Sequence, residues 1–217
     1  IKALQVDQML EKPLLYLVTD RLGLNQQQFL ERIELACQGG VDLLQLREKE
    51  ISSAEYYKLA GHVKKITDRY QVPLIIDDQV AIAQAVDAAG VHLGQADLPV
   101  AVARRILGPH KIIGATTKTV AQARRAVEEG ANYLGVGAIF PTTTHVKTVH
   151  TSVATLKRIK QEAKITVFAI GGLNAENLSV LRNTNVDGVA AVSAIMKATQ
   201  PQQVAQQLKS TVIDVLS

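Results

Sequence analysis

The feature that most constrains this chain is a regular alternation of short apolar runs and amphipathic stretches. Eight runs rich in Val, Ile and Leu are the predicted strands: Leu14–Val18, Leu43–Leu46, Leu74–Ile76, Val91–Leu93, Ile112–Ala115, Tyr133–Val136, Thr166–Ile170 and Gly188–Val192. They alternate with eight predicted helices: Gln27–Gln38, Ala54–Tyr70, Val80–Ala88, Val100–Leu107, Val120–Glu129, Val153–Ala163, Ala175–Asn183 and Gln202–Leu216. Because the runs are continuously apolar, we expect a parallel sheet covered by helices.

Four of the connections that lead from a helix into a strand echo one another. They read GVDL at 40–43, GVHL at 90–93, GANY at 130–133 and VDGV at 186–189. Glycine suits the end of a helix, and short connections suit βα repetition. No linker divides the chain, so we predict one domain over residues 1–217, an α/β protein with a closed (β/α)8 TIM barrel. An open, doubly wound sheet is the alternative, but no GxGxxG motif follows the first strand.

Composition and charge narrow the classes of partner. Lys and Arg number 24 against 20 Asp and Glu, which gives a net charge of +4, and aromatic residues make up 4% of the chain. The cations form no dense block, so we expect anionic small-molecule substrates and no nucleic acid. No apolar run approaches the length of a membrane span and no signal peptide is recognisable, so we expect a cytoplasmic protein with no membrane partner. The single Cys37 excludes a disulfide framework within the chain.

Polar residues of unusual chemistry follow the predicted strands, where active sites of such barrels lie. They are Gln45, Arg47 and Lys49 after the second strand, Asp77 and Asp78 after the third, Asp97 after the fourth, Thr116 after the fifth, FPTTTHVK at 140–147 after the sixth, Gly171–Gly172 after the seventh and Ser193 after the eighth. Each has an ordinary explanation by itself, as a helix cap, a solvated charge run or a tight turn. Because all of them are expected at one rim, we interpret them as one site.

The residue types at this rim predict a particular chemistry. Asp78 and Asp97 come from neighbouring strands and can hold a hard divalent cation, for which oxygen ligands favour Mg²⁺ over Zn²⁺. Arg47 and Lys49 carry positive charge of the kind that binds a diphosphate. Gly171–Gly172 offers backbone N–H groups to a phosphate. The sequence therefore predicts a Mg²⁺ cofactor and the departure of a diphosphate in favour of a phosphorylated nucleophile.

Seven strings between Tyr16 and Ala198 carry a family resemblance: YLVTD, QLREKE, LIIDD, GVHLGQADLP, GVGAIFPTTT, AIGGLNAEN and VAAVSAIMKA. In this order the chain resembles the thiamine-phosphate synthase family. The resemblance implies a (β/α)8 barrel and a Mg²⁺-dependent transferase of thiamine biosynthesis. That enzyme joins 4-amino-2-methyl-5-hydroxymethylpyrimidine diphosphate to 4-methyl-5-(2-hydroxyethyl)thiazole phosphate, giving thiamine phosphate and pyrophosphate.

The resemblance also implies a role for each residue of the site. Asp78 and Asp97 would hold Mg²⁺ and, with Arg47 and Lys49, would act in catalysis. The substrate contacts would be Arg47, Lys49 and Asp77 to the diphosphate, Gln45 and Thr116 to the pyrimidine, and Thr142, Thr144, Gly172, Val192 and Ser193 to the thiazole phosphate.

Two positions depart from the family pattern. Asp77 stands where many members have Asn, and His145 stands where the family usually has the Lys of its FPTxTK motif. Either His145 or Lys147 is therefore expected to contact the diphosphate.

Three other functions stay open at this point. They are a thiazole tautomerase of the same barrel family, a non-catalytic phosphate-binding barrel, and a generic barrel lyase or epimerase. The retained Asp97 argues against the first two. The sequence leaves open whether the chain forms a homo-oligomer.

Overall fold

Eight parallel strands close into a barrel in the computed structural model, which describes residues 13–141 and 150–217. The strands are β1 (Leu14–Val18), β2 (Leu43–Leu46), β3 (Leu74–Asp77), β4 (Gly90–Leu93), β5 (Ile112–Thr117), β6 (Tyr133–Val136), β7 (Thr166–Ile170) and β8 (Gly188–Ala191). Each strand pairs with its neighbours in the sequence, and β8 pairs with β1. The predicted (β/α)8 TIM barrel is confirmed, and the open sheet was the wrong alternative.

Helices surround the barrel. They are α1 (Gln26–Gln38), α2 (Ser53–Arg69), α3 (Val80–Ala85), α4 (Val100–Leu107), α5 (Val120–Glu128), α6 (Val153–Ala163), α7 (Ser193–Met196) and α8 (Pro201–Leu216). Over the two described ranges, none of them combines the length and hydropathy that crossing a membrane requires. The predictions of a single domain over the whole chain and of a cytoplasmic location stay predictions.

The seventh unit differs from the prediction, because a 3₁₀ turn at Leu178–Leu181 replaces the predicted helix Ala175–Asn183. Two asparagines explain the difference. The side-chain oxygen of Asn174 accepts hydrogen bonds from the backbone N–H groups of Glu176 and Asn177, and that of Asn177 accepts from Asn174. Such local bonds compete with helical hydrogen bonding.

Two layers of buried side chains explain why the strands are apolar on both faces. The larger layer packs outward against the helices and includes Leu15 and Leu17 of β1. The smaller layer fills the barrel and consists of Leu14, Tyr16, Val18, Leu43, Ile75, Ile112, Tyr133, Phe168 and Ala190. Successive residues of β1 thus face opposite layers, as the pleat of a strand requires.

Three of the four similar connections share a structural feature at the amino ends of the strands. Asp42, Asn132 and Asp187 each directly precede a strand, and each side chain accepts the backbone N–H of a residue in the preceding strand, at 2.8, 2.9 and 2.7 Å. A cation also contacts each of these side chains: Lys209, Arg104 and Lys160 respectively. We call these three contacts the strand clamps.

Removing one strand clamp should lower stability. Asp187→Ala leaves the N–H of the fully buried Val167 and the partly buried ammonium of Lys160 without their carboxylate partner. We expect the free energy of unfolding to fall by about 2–4 kcal/mol, measured by urea denaturation. Asp214→Ala is the matched control, because its ion pair with Arg182 is exposed on both sides and should contribute under about 1 kcal/mol. Equal losses in the two variants would contradict the clamp.

Candidate active site

A cavity of about 410 Å³ opens at the carboxyl ends of the strands. The predicted site residues that line it are Gln45, Arg47, Lys49, Asp77, Asp97, Thr116 and Val192. Part of the wall is apolar and consists of Val18, Phe168, Ile170 and Ala190. The rim predicted from the sequence therefore surrounds one open cavity that combines charged groups with an apolar wall.

Lys49 joins the two adjacent acids at the end of β3. Its ammonium donates to Oδ2 of Asp78 and lies 2.8 Å from Oδ2 of Asp77. Burial acts to lower the pKa of Lys49, but the two carboxylates outweigh it and raise that pKa. Lys49 is therefore cationic at neutral pH, and its charge stands at the mouth of the cavity.

Asp77 is the more buried of the two acids. Its buried Oδ2 is in ion-pair contact with the Lys49 ammonium, and no other described group donates to it. Burial raises the pKa of Asp77, and the attraction of Lys49 and Arg47 only partly offsets that effect. Because Lys49 is shared between Asp77 and Asp78, one positive charge faces two carboxylates, and this position favours the approach of another cation or of a hydrated one.

Asp78 and Asp97 are held at the rim by their own backbone neighbourhoods. Asp78 has a left-handed backbone with φ of 50°, and its N–H donates to the carbonyl oxygen of His92 at 2.8 Å. Oδ2 of Asp97 accepts the N–H of Gly94 at 2.6 Å. Asp78 stands beside the residues that line the cavity and is connected to them through Lys49.

The donor set fits a Mg²⁺ ion. Among the described residues, no group of three His, Cys, Asp or Glu side chains could hold a metal by itself. Mg²⁺ is nevertheless usually held by one or two carboxylates, with water and substrate phosphates completing the shell. Asp78 and Asp97 match that pattern, with the buried carboxylate of Asp77 next to Asp78.

The other side of the cavity is formed by the ends of β7 and β8. Gly171 and Gly172 adopt positive φ values of 102° and 66°, a conformation natural to glycine. A side chain at Gly171 would meet Ala138 at 2.5 Å, so the β7 end lies tight against the segment after β6. Val192 lines the cavity, and Ser193 follows it as the first residue of α7. Thr142, Thr144, His145 and Lys147 lie outside the described residues.

A buried chain of hydrogen bonds was missed by the sequence analysis. Gln45 donates to the hydroxyl of Tyr16 at 2.8 Å, and that hydroxyl lies 2.6 Å from the hydroxyl of Tyr133. The Tyr133 hydroxyl lies 2.9 Å from Nδ1 of His92, whose Nε2 lies 2.8 Å from Oγ1 of Thr116. We call these five residues the Tyr–His chain. Its members come from five different strands, β2, β1, β6, β4 and β5.

Burial sets the charge of the Tyr–His chain. It raises the pKa of Tyr16 and that of Tyr133, and it lowers the pKa of His92 to about 4. At neutral pH the two phenols and the imidazole are therefore all uncharged. The one sequence signal for the chain was a histidine within the apolar run GVHL.

A further cation, Lys118, also lines the cavity and was not predicted. Its ammonium donates to the carbonyl oxygen of Gly137 at 3.0 Å, and burial lowers its pKa. Lys118 follows directly after β5, so the same rule of strand ends that identified Thr116 applies to it.

Comparison with known proteins gives a consistent picture. A family model described as thiamine monophosphate synthase matches residues 15–195. Thiamine-phosphate synthase 2 of Streptococcus pneumoniae is 50% identical over 203 residues, which is 94% of this chain and 97% of that protein. Thiamine-phosphate synthase of Enterococcus faecalis is 52% identical over 200 residues, which is 92% of this chain and 94% of that protein.

Solved structures agree with the sequence relatives. Thiamine phosphate pyrophosphorylase from Pyrococcus furiosus superposes with a TM-score of 0.86 at 34% identity, covering 97% of this chain and 100% of that one. A 3-hexulose-6-phosphate synthase has a TM-score of 0.73 at 16% identity, covering 91% and 99% of the two chains, and shares the fold.

Proposed function

The chain belongs to the thiamine monophosphate synthase family and is a thiamine-phosphate synthase, and from this premise we propose its substrates and its chemistry. It joins 4-amino-2-methyl-5-hydroxymethylpyrimidine diphosphate to 4-methyl-5-(2-hydroxyethyl)thiazole phosphate and releases pyrophosphate. The observation that carries the proposal is the shared cavity of Arg47, Lys49 and Asp97, where cations and a carboxylate surround an apolar space. We propose that the reaction takes place in the cytoplasm.

The diphosphate occupies the side of the cavity formed by β2 to β4. Arg47 can bind two phosphate oxygens at once through its planar guanidinium, while Lys49 acts as a compact charge. A bound diphosphate would compete with Asp77 and Asp78 for the Lys49 ammonium. Release of those carboxylates would leave them available to a cation that arrives with the substrate.

Asp78 and Asp97 would hold Mg²⁺, and Asp77 would contact its water shell. The ion, when bound, supplies positive charge that stabilises the leaving pyrophosphate. Arg47 and Lys49 supply the same kind of stabilisation from the protein, in a site partly closed to water where charges act strongly.

The bond changes balance without a general base. The C–O bond of the pyrimidine methylene breaks, and pyrophosphate leaves with the electron pair. The thiazole nitrogen then donates its lone pair to the methylene carbon and forms the C–N bond. Loss of pyrophosphate leaves a positive charge on the pyrimidine methylene carbon. The apolar wall, which includes Phe168 and Ile170, excludes water that would otherwise react with this carbocation.

The thiazole phosphate occupies the opposite side of the cavity. The backbone around Gly172 and Ser193 would bind its phosphate group, and Thr142 and Thr144 are expected to contribute from the part of the sequence after β6. Its nitrogen would then face the pyrimidine methylene across the cavity. The contacts of His145 or Lys147 to the diphosphate also stay predictions.

One experiment tests the substrates and separates the synthase from a tautomerase. Purified protein, given both substrates and Mg²⁺, should form thiamine phosphate and pyrophosphate in equal amounts, followed by chromatography and a coupled pyrophosphate assay. Protein given the thiazole carboxylate phosphate tautomer alone should leave it unchanged. Rapid conversion of that tautomer without pyrophosphate release from the substrate pair would overturn the proposal.

A further inference from the structure

The two side chains expected to contact the pyrimidine, Gln45 and Thr116, are the ends of the Tyr–His chain. Three buried groups stand between them: the hydroxyls of Tyr16 and Tyr133 and the imidazole of His92. Within the described part of the molecule, the chain is continuous across the barrel, with every step between 2.6 and 2.9 Å. This continuity connects two contacts that come from strands β2 and β5.

The number of hydrogens that each group can donate limits the possible hydrogen-bond directions along the Tyr–His chain. Each tyrosine hydroxyl has one hydrogen to donate, and a neutral imidazole has one N–H and one bare nitrogen. The ring of His92 is buried and its two nitrogens contact the uncharged hydroxyls of Tyr133 and Thr116, so the neutral imidazole is the favoured form. A hydroxyl that accepted from both neighbours would keep its own hydrogen unpaired inside the buried barrel, which is costly, so one common direction of donation along the series is favoured. The direction of the bond at one end therefore biases the direction of the others.

The amide of Gln45 sets that direction. Its Nε2 donates to Tyr16, which favours donation from Tyr16 to Tyr133 and from Tyr133 to Nδ1 of His92. The imidazole hydrogen is then on Nε2 and is donated to Oγ1 of Thr116. The hydroxyl hydrogen of Thr116 is left to point into the cavity.

We propose that the Tyr–His chain is a polarity relay, in which the donor at Gln45 fixes the Nε2–H tautomer of His92 and makes the Thr116 hydroxyl a donor toward the bound ring. This assignment of the ligand rests on the proposed function, because the ring nitrogens of an aminopyrimidine are hydrogen-bond acceptors. Gln45 retains a second N–H and a carbonyl oxygen for the opposite edge of the ring. Tyr16, Tyr133 and His92 are positioning residues, which orient the two contacts without touching the reacting atoms.

The relay is tested in the ligand-free protein by replacing the hydrogen-bond donor at Gln45 with an acceptor. Gln45→Glu replaces the donor by a carboxylate, which only accepts when ionised, at a pH of about 8. Tyr16 would then donate to Glu, Tyr133 to Tyr16 and His92 to Tyr133. We expect the hydrogen of His92 to move from Nε2 to Nδ1, seen as an exchange of the two ring ¹⁵N shifts in protein labelled at histidine.

Two further variants make the test specific. The His92 signals are assigned by their loss in His92→Gln. Tyr133→Phe removes the hydroxyl in the middle of the relay, so Gln45→Glu should have no effect on the His92 tautomer in that background. Tyr56→Phe is the matched control: its buried hydroxyl donates to the carbonyl oxygen of Leu46 and lies outside the relay, so the tautomer should stay Nε2–H. An unchanged His92 tautomer in folded Gln45→Glu would overturn the relay.

Activity gives a second measurement that does not need the Glu variant to fold. Gln45→Met and Thr116→Val should each lower kcat/KM for the pyrimidine diphosphate by about tenfold. If the two effects were independent, the fold-losses of kcat/KM would multiply in the double variant. We expect the loss in the double variant to be at least about threefold smaller than that product. In the Tyr133→Phe background the two effects should multiply. Multiplication in both backgrounds would contradict the relay, whereas a wild-type protein that forms no thiamine phosphate would contradict the proposed function instead.

Discussion

Asp97→Asn should lower kcat/KM for thiamine phosphate formation by at least about a hundredfold, while the melting temperature stays within about 2 °C. The amide oxygen of Asn can still accept the N–H of Gly94, so the local backbone keeps its hydrogen bond. What is lost is the negative charge that would hold Mg²⁺. The apparent Mg²⁺ requirement should therefore rise together with the loss of activity, measured by titrating Mg²⁺ into the metal-stripped variant.

The control is a carboxylate far from the cavity. The side chain of Asp87 is 88% exposed and pairs with Lys111, so Asp87→Asn should leave both kcat/KM and the Mg²⁺ requirement unchanged. Treating the wild-type protein with EDTA should abolish activity, and Mg²⁺ should restore it. Full activity of the stripped wild-type protein, or of Asp97→Asn, would rule out the metal assignment.

The barrel could be predicted from the sequence because its strands are apolar on both faces. The predicted bounds agree with the observed ones for Leu14–Val18, Leu43–Leu46, Tyr133–Val136 and Thr166–Ile170. In these runs the apolar residues predominate, so the burial pattern is enough to identify the strand even where a polar side chain such as Gln45 lies within it. The helices were harder to delimit: the predicted helix Val80–Ala88 ends at Ala85, and α7 at Ser193–Met196 was not predicted at all.

Residues at or near strand ends could be predicted, whereas the inward-facing Tyr16, Tyr133 and His92 could not. Arg47, Lys49 and Asp97 follow directly from the rule that barrel sites lie past the carboxyl ends of strands. The bond between Tyr16 and Tyr133 joins residues 117 positions apart. The bond forms because both side chains point into the barrel and meet there. A single sequence does not reveal which face of each strand points inward or which inward-facing residues meet. The apolar composition of both strands concealed the two hydroxyls.

The space for Tyr133 is provided by a glycine on the neighbouring strand. Gly114 pairs with Tyr133 in the register of β5 and β6, and a Cβ at Gly114 would lie 2.0 Å from Cζ of that ring. Tyr133 is completely buried, so its ring has no free space into which it could retreat. Gly114→Ala should therefore lower the free energy of unfolding by about 3 kcal/mol or more, and the melting temperature by roughly 6–12 °C.

A second glycine and a second background distinguish this clash from a general effect of replacing glycine. Gly61 lies within α2, and a Cβ there would meet nothing within 4 Å, so Gly61→Ala should raise stability by about 0.5–1 kcal/mol. In a Tyr133→Val background the aromatic ring is absent, so Gly114→Ala should cost at least about 1 kcal/mol less than in the wild-type protein. An equal cost in both backgrounds would place the strain elsewhere in the barrel. The expected coupling would instead show that the close approach of β5 to the Tyr133 ring is what holds that hydroxyl between Tyr16 and His92.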